Sequence, residues 1–183
     1  MLKRILLSGL ISGLLTGLFM YFTAARTTAE QMLSTSMMQM MAMGYTAMLV
    51  AFIFIFVAMK RHRDIAQGGV IKFLPAFGMG LAITLVAGIF YAIAWEISLL
   101  LTDYQFINAY ETVLLNAVEN SGKTGGELET YRQSVEASLD TYRNPVTRLP
   151  ITFTEIAPVG VLVSLVSALL LRNSRFWPRR PVV

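Results

Sequence analysis

Cysteine is missing from this chain, histidine occurs once, at His62, and only 14% of the 183 residues are charged. Without cysteine there are no disulfides, thiolate metal sites or cysteine nucleophiles. No His/Asp/Glu metal-ligand cluster and no nucleophile–base pair stands out, so no metal and no enzyme activity is expected. The pair Gly68-Gly69 lacks the lysine–hydroxyl ending of a phosphate-binding loop, and no other cofactor motif is present. Long polar stretches are scarce too. The longest, residues 102–149, has room for a helical hairpin but not for a separate enzyme domain.

What is abundant is apolar sequence. At 55% hydrophobic residues the chain is too apolar for an ordinary soluble domain. Four hydropathy maxima fall at about 5–25, 37–59, 73–101 and 151–171. The third is the longest; from Phe73 onward its only ionisable side chains are Tyr91 and Glu96. It exceeds the roughly 20 residues that a helix needs to cross a bilayer. The expected fold is an all-α integral membrane protein, a single domain of four transmembrane helices with a helical hairpin (102–149) between the third and fourth. The start imitates a signal peptide, but its apolar core of about 20 residues is longer than the usual ~7–15. It is expected to stay as the first span.

Charge sets the orientation. Ten of the fifteen Lys and Arg lie in Lys3-Arg4, in residues 60–72 and in the tail at Arg172, Arg175, Arg179 and Arg180. Residues 102–149 carry seven acids against four basic residues. The positive-inside rule then puts both termini in the cytoplasm and the hairpin outside, in a bacterial inner membrane. The net charge of +4 is a topology signal, and no nucleic-acid partner is expected. Lys60, Arg61, Arg63, Arg172 and Arg175 read as anchors for anionic head groups. His62 reads as a solvated residue of a compact turn at 60–69.

Small residues repeat at every fourth position: Gly9, Gly13 and Gly17 in the first span, Gly80, Thr84, Gly88 and Ala92 in the third, and Gly160, Ser164 and Ala168 in the fourth. Such faces let helix backbones approach closely in lipid. Packing within the chain is the primary reading, and a homo-oligomer or another membrane protein is the alternative partner. Pro158 is expected to kink the fourth span, freeing the Thr154 carbonyl.

The second span opens on Met37, Met38, Met40, Met41, Met43 and Met48. Thioethers fill irregular gaps and also select Cu(I). Gap filling is the reading adopted, with Cu(I) handling the alternative.

Only Glu96 and Glu155 are acids embedded in apolar helix, where charge costs about 2.5–3.5 kcal/mol at a helix centre. The antiparallel course of the last two spans puts both near the outer end. If they meet, they share a proton; otherwise each bonds a neighbour among Thr152, Thr154, Tyr91, Arg143 or Arg148.

At 45–96 and 144–171 the order of features resembles the bacterial membrane family known as domain of unknown function 4199. The matching pieces are Gly44-Tyr45, Gly68-Gly69, Phe73, Phe77-Gly78, Tyr91 and Trp95, then Asn144-Pro145, Thr152, Glu155, Pro158-Val159-Gly160 and Ser164-Leu165. The resemblance implies a four-helix inner-membrane protein and supplies no activity. A non-enzymatic interaction or scaffold component is expected. The alternatives are a small proton- or cation-coupled transporter using Glu96 and Glu155, and an intramembrane enzyme.

Overall fold

With no water to bond backbone groups, an apolar chain satisfies them within helices. The computed structural model describes residues 1–178, apart from the Met37 side chain, and every element in it is helical. Arg179 and Arg180 lie outside the described residues. In order the helices are α1 (Leu2–Ala24), α2 (Ala29–Ser34), α3 (Met37–Ala51), α4 (Ile53–Ala66), α5 (Phe73–Leu101), α6 (Gln105–Glu119), α7 (Gly125–Arg143) and α8 (Pro145–Leu171). Four helical stretches, with α3 and α4 counted as one, are long and apolar enough to cross a membrane. That is the build of a membrane protein.

The core is α1, α5 and α8, with α5 between the other two. Where a Cβ on Gly9 would stand, Val86 Cβ is already 2.6 Å away; on Gly13 it would meet the Ala87 carbonyl at 2.6 Å, and on Gly17 it would meet the Ala94 methyl. The partners advance together, so α1 and α5 run parallel. Toward α8 the order reverses. Gly80 meets Ser164, Thr84 fills the place of a Gly160 side chain, and Glu96 bonds Arg148. Each step forward on α5 is matched by an equal step back on α8. The Thr84 and Ser164 hydroxyls lie 3.3 Å apart at the centre and donate to the Gly80 and Gly160 carbonyls of their own helices. Gly88 receives the Phe153 ring.

Several boundaries differ from the sequence reading. The second span is interrupted at Phe52, and the Ser12 hydroxyl donates to the Ala51 carbonyl beside the break at 2.8 Å. It then stays helical through Lys60, Arg61, His62, Arg63 and Asp64 to Ala66, where Lys60, His62, Arg63 and Asp64 are bound by neighbouring groups. The turn is confined to the residues around Gly68 and Gly69, whose φ of +63° and +95° suit glycine. Between the first two spans, residues 29–34 form α2, opened by a Thr28/Gln31 capping box. The fourth span starts at Pro145, not 151: Asn144 caps it by accepting from the Val146 N–H, and proline at a first helical position costs no hydrogen bond.

At the end where α1 begins and α8 finishes, Arg63 is fully enclosed and does not face head groups. It donates to the carbonyls of Leu171, Phe176 (3.0 Å) and Trp177 (2.6 Å) and to Asp64 at 2.8 Å. Lys60 also bonds Asp64, and its ammonium stands 5.6 Å over the Trp177 ring. His62 is buried between Arg4 and Gln67, 3.2 and 3.3 Å from its two ring nitrogens, so it is no solvated loop residue. Arg61, Arg172 and Arg175 are exposed. At the opposite end α6 and α7 pack on each other through Val118, Val135 and Leu139, with Arg143 bonded to Glu111 at 2.6 Å.

Candidate functional site

The two glutamates of the apolar helices have different surroundings. Glu96, one turn before the end of α5, meets Arg148 in the first turns of α8. The guanidinium Nε and Nη2 donate to the two carboxylate oxygens, each at 2.7 Å. Nη1 donates to the carbonyls of Tyr142 (2.8 Å) and Arg143 (3.1 Å) at the end of α7. Paired forks of this kind are the strongest form of ion pair. Arg148 is fully buried, with the Tyr104 and Tyr142 rings about 6 Å from its centre. Tyr104 and Asp103 hold left-handed φ values of 55° and 47°, a conformation that costs energy outside glycine. Their turn ends α5 and places the Tyr104 ring over the arginine.

Around this pair Trp95, Phe106, Tyr110 and Tyr142 are in ring contact in sequence, with centroids 5.1, 6.4 and 6.1 Å apart. Trp95 and Tyr91 are buried in the interior. Burial pushes the Tyr142 hydroxyl up to about 12, and the nearby Glu155 charge adds to this. Both Glu96 oxygens being occupied, the proton-sharing carboxylate pair is not formed.

Glu155 lies seven residues further along α8, which is about 10 Å deeper by helical rise. Among the described residues no cation pairs with it. Its side chain stands in the wall of a cavity of about 590 Å³ at the edge of the core. The hydroxyl of Tyr91, buried and without a hydrogen-bond partner, faces the same space and Glu155. Phe19, Met20, Thr23 and Thr27 contribute from α1 and its exit, and Gln31, Met32 and Thr35 from α2 and its end. The remaining wall is Phe106 of α6 and one side of α3, with Met40, Met41, Met43, Gly44, Tyr45 and Met48.

The cavity exists because α3 leans away from the core at its far half. From Met38 to Ala47 no described residue is buried, whereas Met48, Ala51 and Phe52 are. Nothing stands within 4 Å of a Cβ on Gly44. The methionines therefore line a space that they do not fill, and thioethers are the side chains that could hold a soft metal there. No group of three His, Asp or Glu suited to a metal exists among the described residues.

Sequence reasoning singled out Glu96, Glu155 and the methionines, and the fold joins the last two. It missed Phe19, Gln31, Tyr45 and Phe106 as lining. Two capping boxes, Thr28 with Gln31 and Ser36 with Gln39, were the available signal that α2 and α3 bend the chain back over the end of α1.

No curated protein and no solved structure matches this chain. A family does, over residues 7–173, and its span takes in the core, the cavity wall and the Arg148 pair. The chain belongs to the family described as Protein of unknown function (DUF4199).

Proposed function

We propose that this is a non-enzymatic binding protein of the bacterial cytoplasmic membrane, whose ligand enters the cavity between α3 and the α1–α5–α8 core. One observation carries the reading: an apolar cavity of about 590 Å³ with a single unpaired carboxylate in its wall. Ligand sites are typically apolar clefts of ~300–1,000 Å³ with few, convergent polar groups. Flexible methionine suits a surface that repacks around its guest. Among the described residues no histidine, lysine or arginine lines the cavity, and the groups there for general acid–base chemistry are one carboxylate and two phenols.

The orientation rests on charge. Lys3, Arg61, Lys72, Arg172 and Arg175 are exposed at the terminal end, which the positive-inside rule assigns to the cytoplasm. The α6–α7 hairpin then caps the outer side. The lack of native cysteine makes this simple to test. A Ser121→Cys variant in intact cells should react with a membrane-impermeant maleimide, and Arg175→Cys only after permeabilisation.

For the binding role, native mass spectrometry of the purified wild type should reveal a retained small molecule. A Gly44→Phe variant, whose ring fills the cavity, should lose it. Equal spectra for the two proteins would sink the reading.

A scaffold role has a second footing in α7, of whose nineteen residues only Val135 and Leu139 are buried. In-cell cross-linking from Tyr131 tests it, and recovery of no protein partner counts against it. The glycine faces are poor candidates for a second copy, since α5 and α8 already occupy them.

A further inference from the structure

We propose that the cavity's ligand is a lipophilic organic cation, with Glu155 as its counter-charge. This rests on the binding role argued above and names the ligand class. Among the described residues Glu155 is the one acid in the lining, and no cationic side chain offsets it there. Elsewhere in this fold the buried cations are answered within the chain: Arg148 by Glu96, and Arg63 by Asp64 and three carbonyls. Glu155, exposed in the open wall of the cavity, has no charged partner among the described residues.

The remaining wall determines what kind of cation fits. A hard inorganic ion such as calcium takes six to eight oxygen ligands, whereas this wall is mainly rings and thioethers. Phe19, Tyr45 and Phe106 in the wall offer aromatic surface, and aromatic rings attract a delocalised cation through their quadrupoles, most strongly where water is excluded. Methionine adapts to its irregular shape. At about 590 Å³ the space is far larger than a bare ion and suits a guest with several rings. The Tyr91 hydroxyl, unpartnered and buried, is placed to donate to the carboxylate that holds the guest's charge.

Tetraphenylphosphonium and tetraphenylborate provide the test, because they share a shape and differ in the sign of charge. The full chain in nanodiscs of zwitterionic phosphatidylcholine is titrated with each, read by equilibrium dialysis. Tetraphenylphosphonium should bind saturably, tetraphenylborate should not, and Glu155→Gln should weaken the cation at least tenfold while leaving the unfolding midpoint unchanged. The charge comparison in wild type needs no variant, so it stands even if Glu155→Gln folds poorly. Equal saturable binding of both ions overturns the cation assignment but leaves the cavity reading intact, provided Gly44→Phe removes both. If neither ion binds, the assignment falls, and the native mass spectra of wild type and Gly44→Phe decide whether the cavity reading falls with it.

Discussion

The two sides of α8 handle polarity in opposite ways. Toward α5 the contacts are closed: Gly160 and Ser164 admit the neighbouring helix, and Arg148 uses its guanidinium on one carboxylate and two carbonyls. Toward α3 the packing is open, and Glu155 faces a cavity with no cation beside it. The lesson is that an acid in an apolar helix has no role of its own until its neighbour is known. Glu96 is part of the framework. Glu155 is available for work.

The largest test of this contrast is Arg148→Met. It strands Glu96 in a poorly hydrated place and should lower stability by about 3–5 kcal/mol. Unfolding in mixed micelles measures it, and restoring much of the loss with Glu96→Leu in the same chain would show that the stranded charge is the cause. A loss under 1 kcal/mol would mean that the pair is not a structural tie.

Next is Gly13→Ala. Its methyl would press on the Ala87 carbonyl, which is backbone and cannot step aside, so about 1–3 kcal/mol of destabilisation is expected. On the open side the same exchange should have the opposite sign. Gly44→Ala meets nothing within 4 Å and relieves a flexible helix position, a gain of about 0.5–1 kcal/mol. Matched thermal melts of the two variants compare the sides directly. If both fall, α3 packs more closely than described. The smallest effect on stability is expected from Glu155→Gln, within about 0.5 kcal/mol of wild type. A large loss there would place Glu155 in the framework with Glu96.

Much of the framework was legible from sequence, because glycine spacing and hydropathy report helix faces and lengths. Gly9, Gly13, Gly17, Gly80 and Gly160 all face neighbouring helices. Arg148 was harder. Hydropathy began the fourth span at 151 and left Arg148 in the hairpin, whereas Pro145 at a first helical position opens α8. Hydropathy also ended the second span at its first charges. It cannot register that Arg63 is neutralised by a carboxylate and by the carbonyls of a tail more than a hundred residues away. The cavity was the least visible part. A missing contact leaves no pattern in a sequence, and the methionine run was read as filling a gap.

The matched register of α5 and α8 has a consequence for how this chain can change. Thr84 and Glu96 are as far apart on one helix as Gly160 and Arg148 are on the other. The two helices behave like facing rulers read at both ends. Inserting one residue in either turns everything beyond it by about 100°, so the notch at Gly160 and the ion pair at Arg148 cannot both engage. Length is therefore constrained in these segments as strictly as residue identity, and only a matched insertion in both helices would preserve the two contacts.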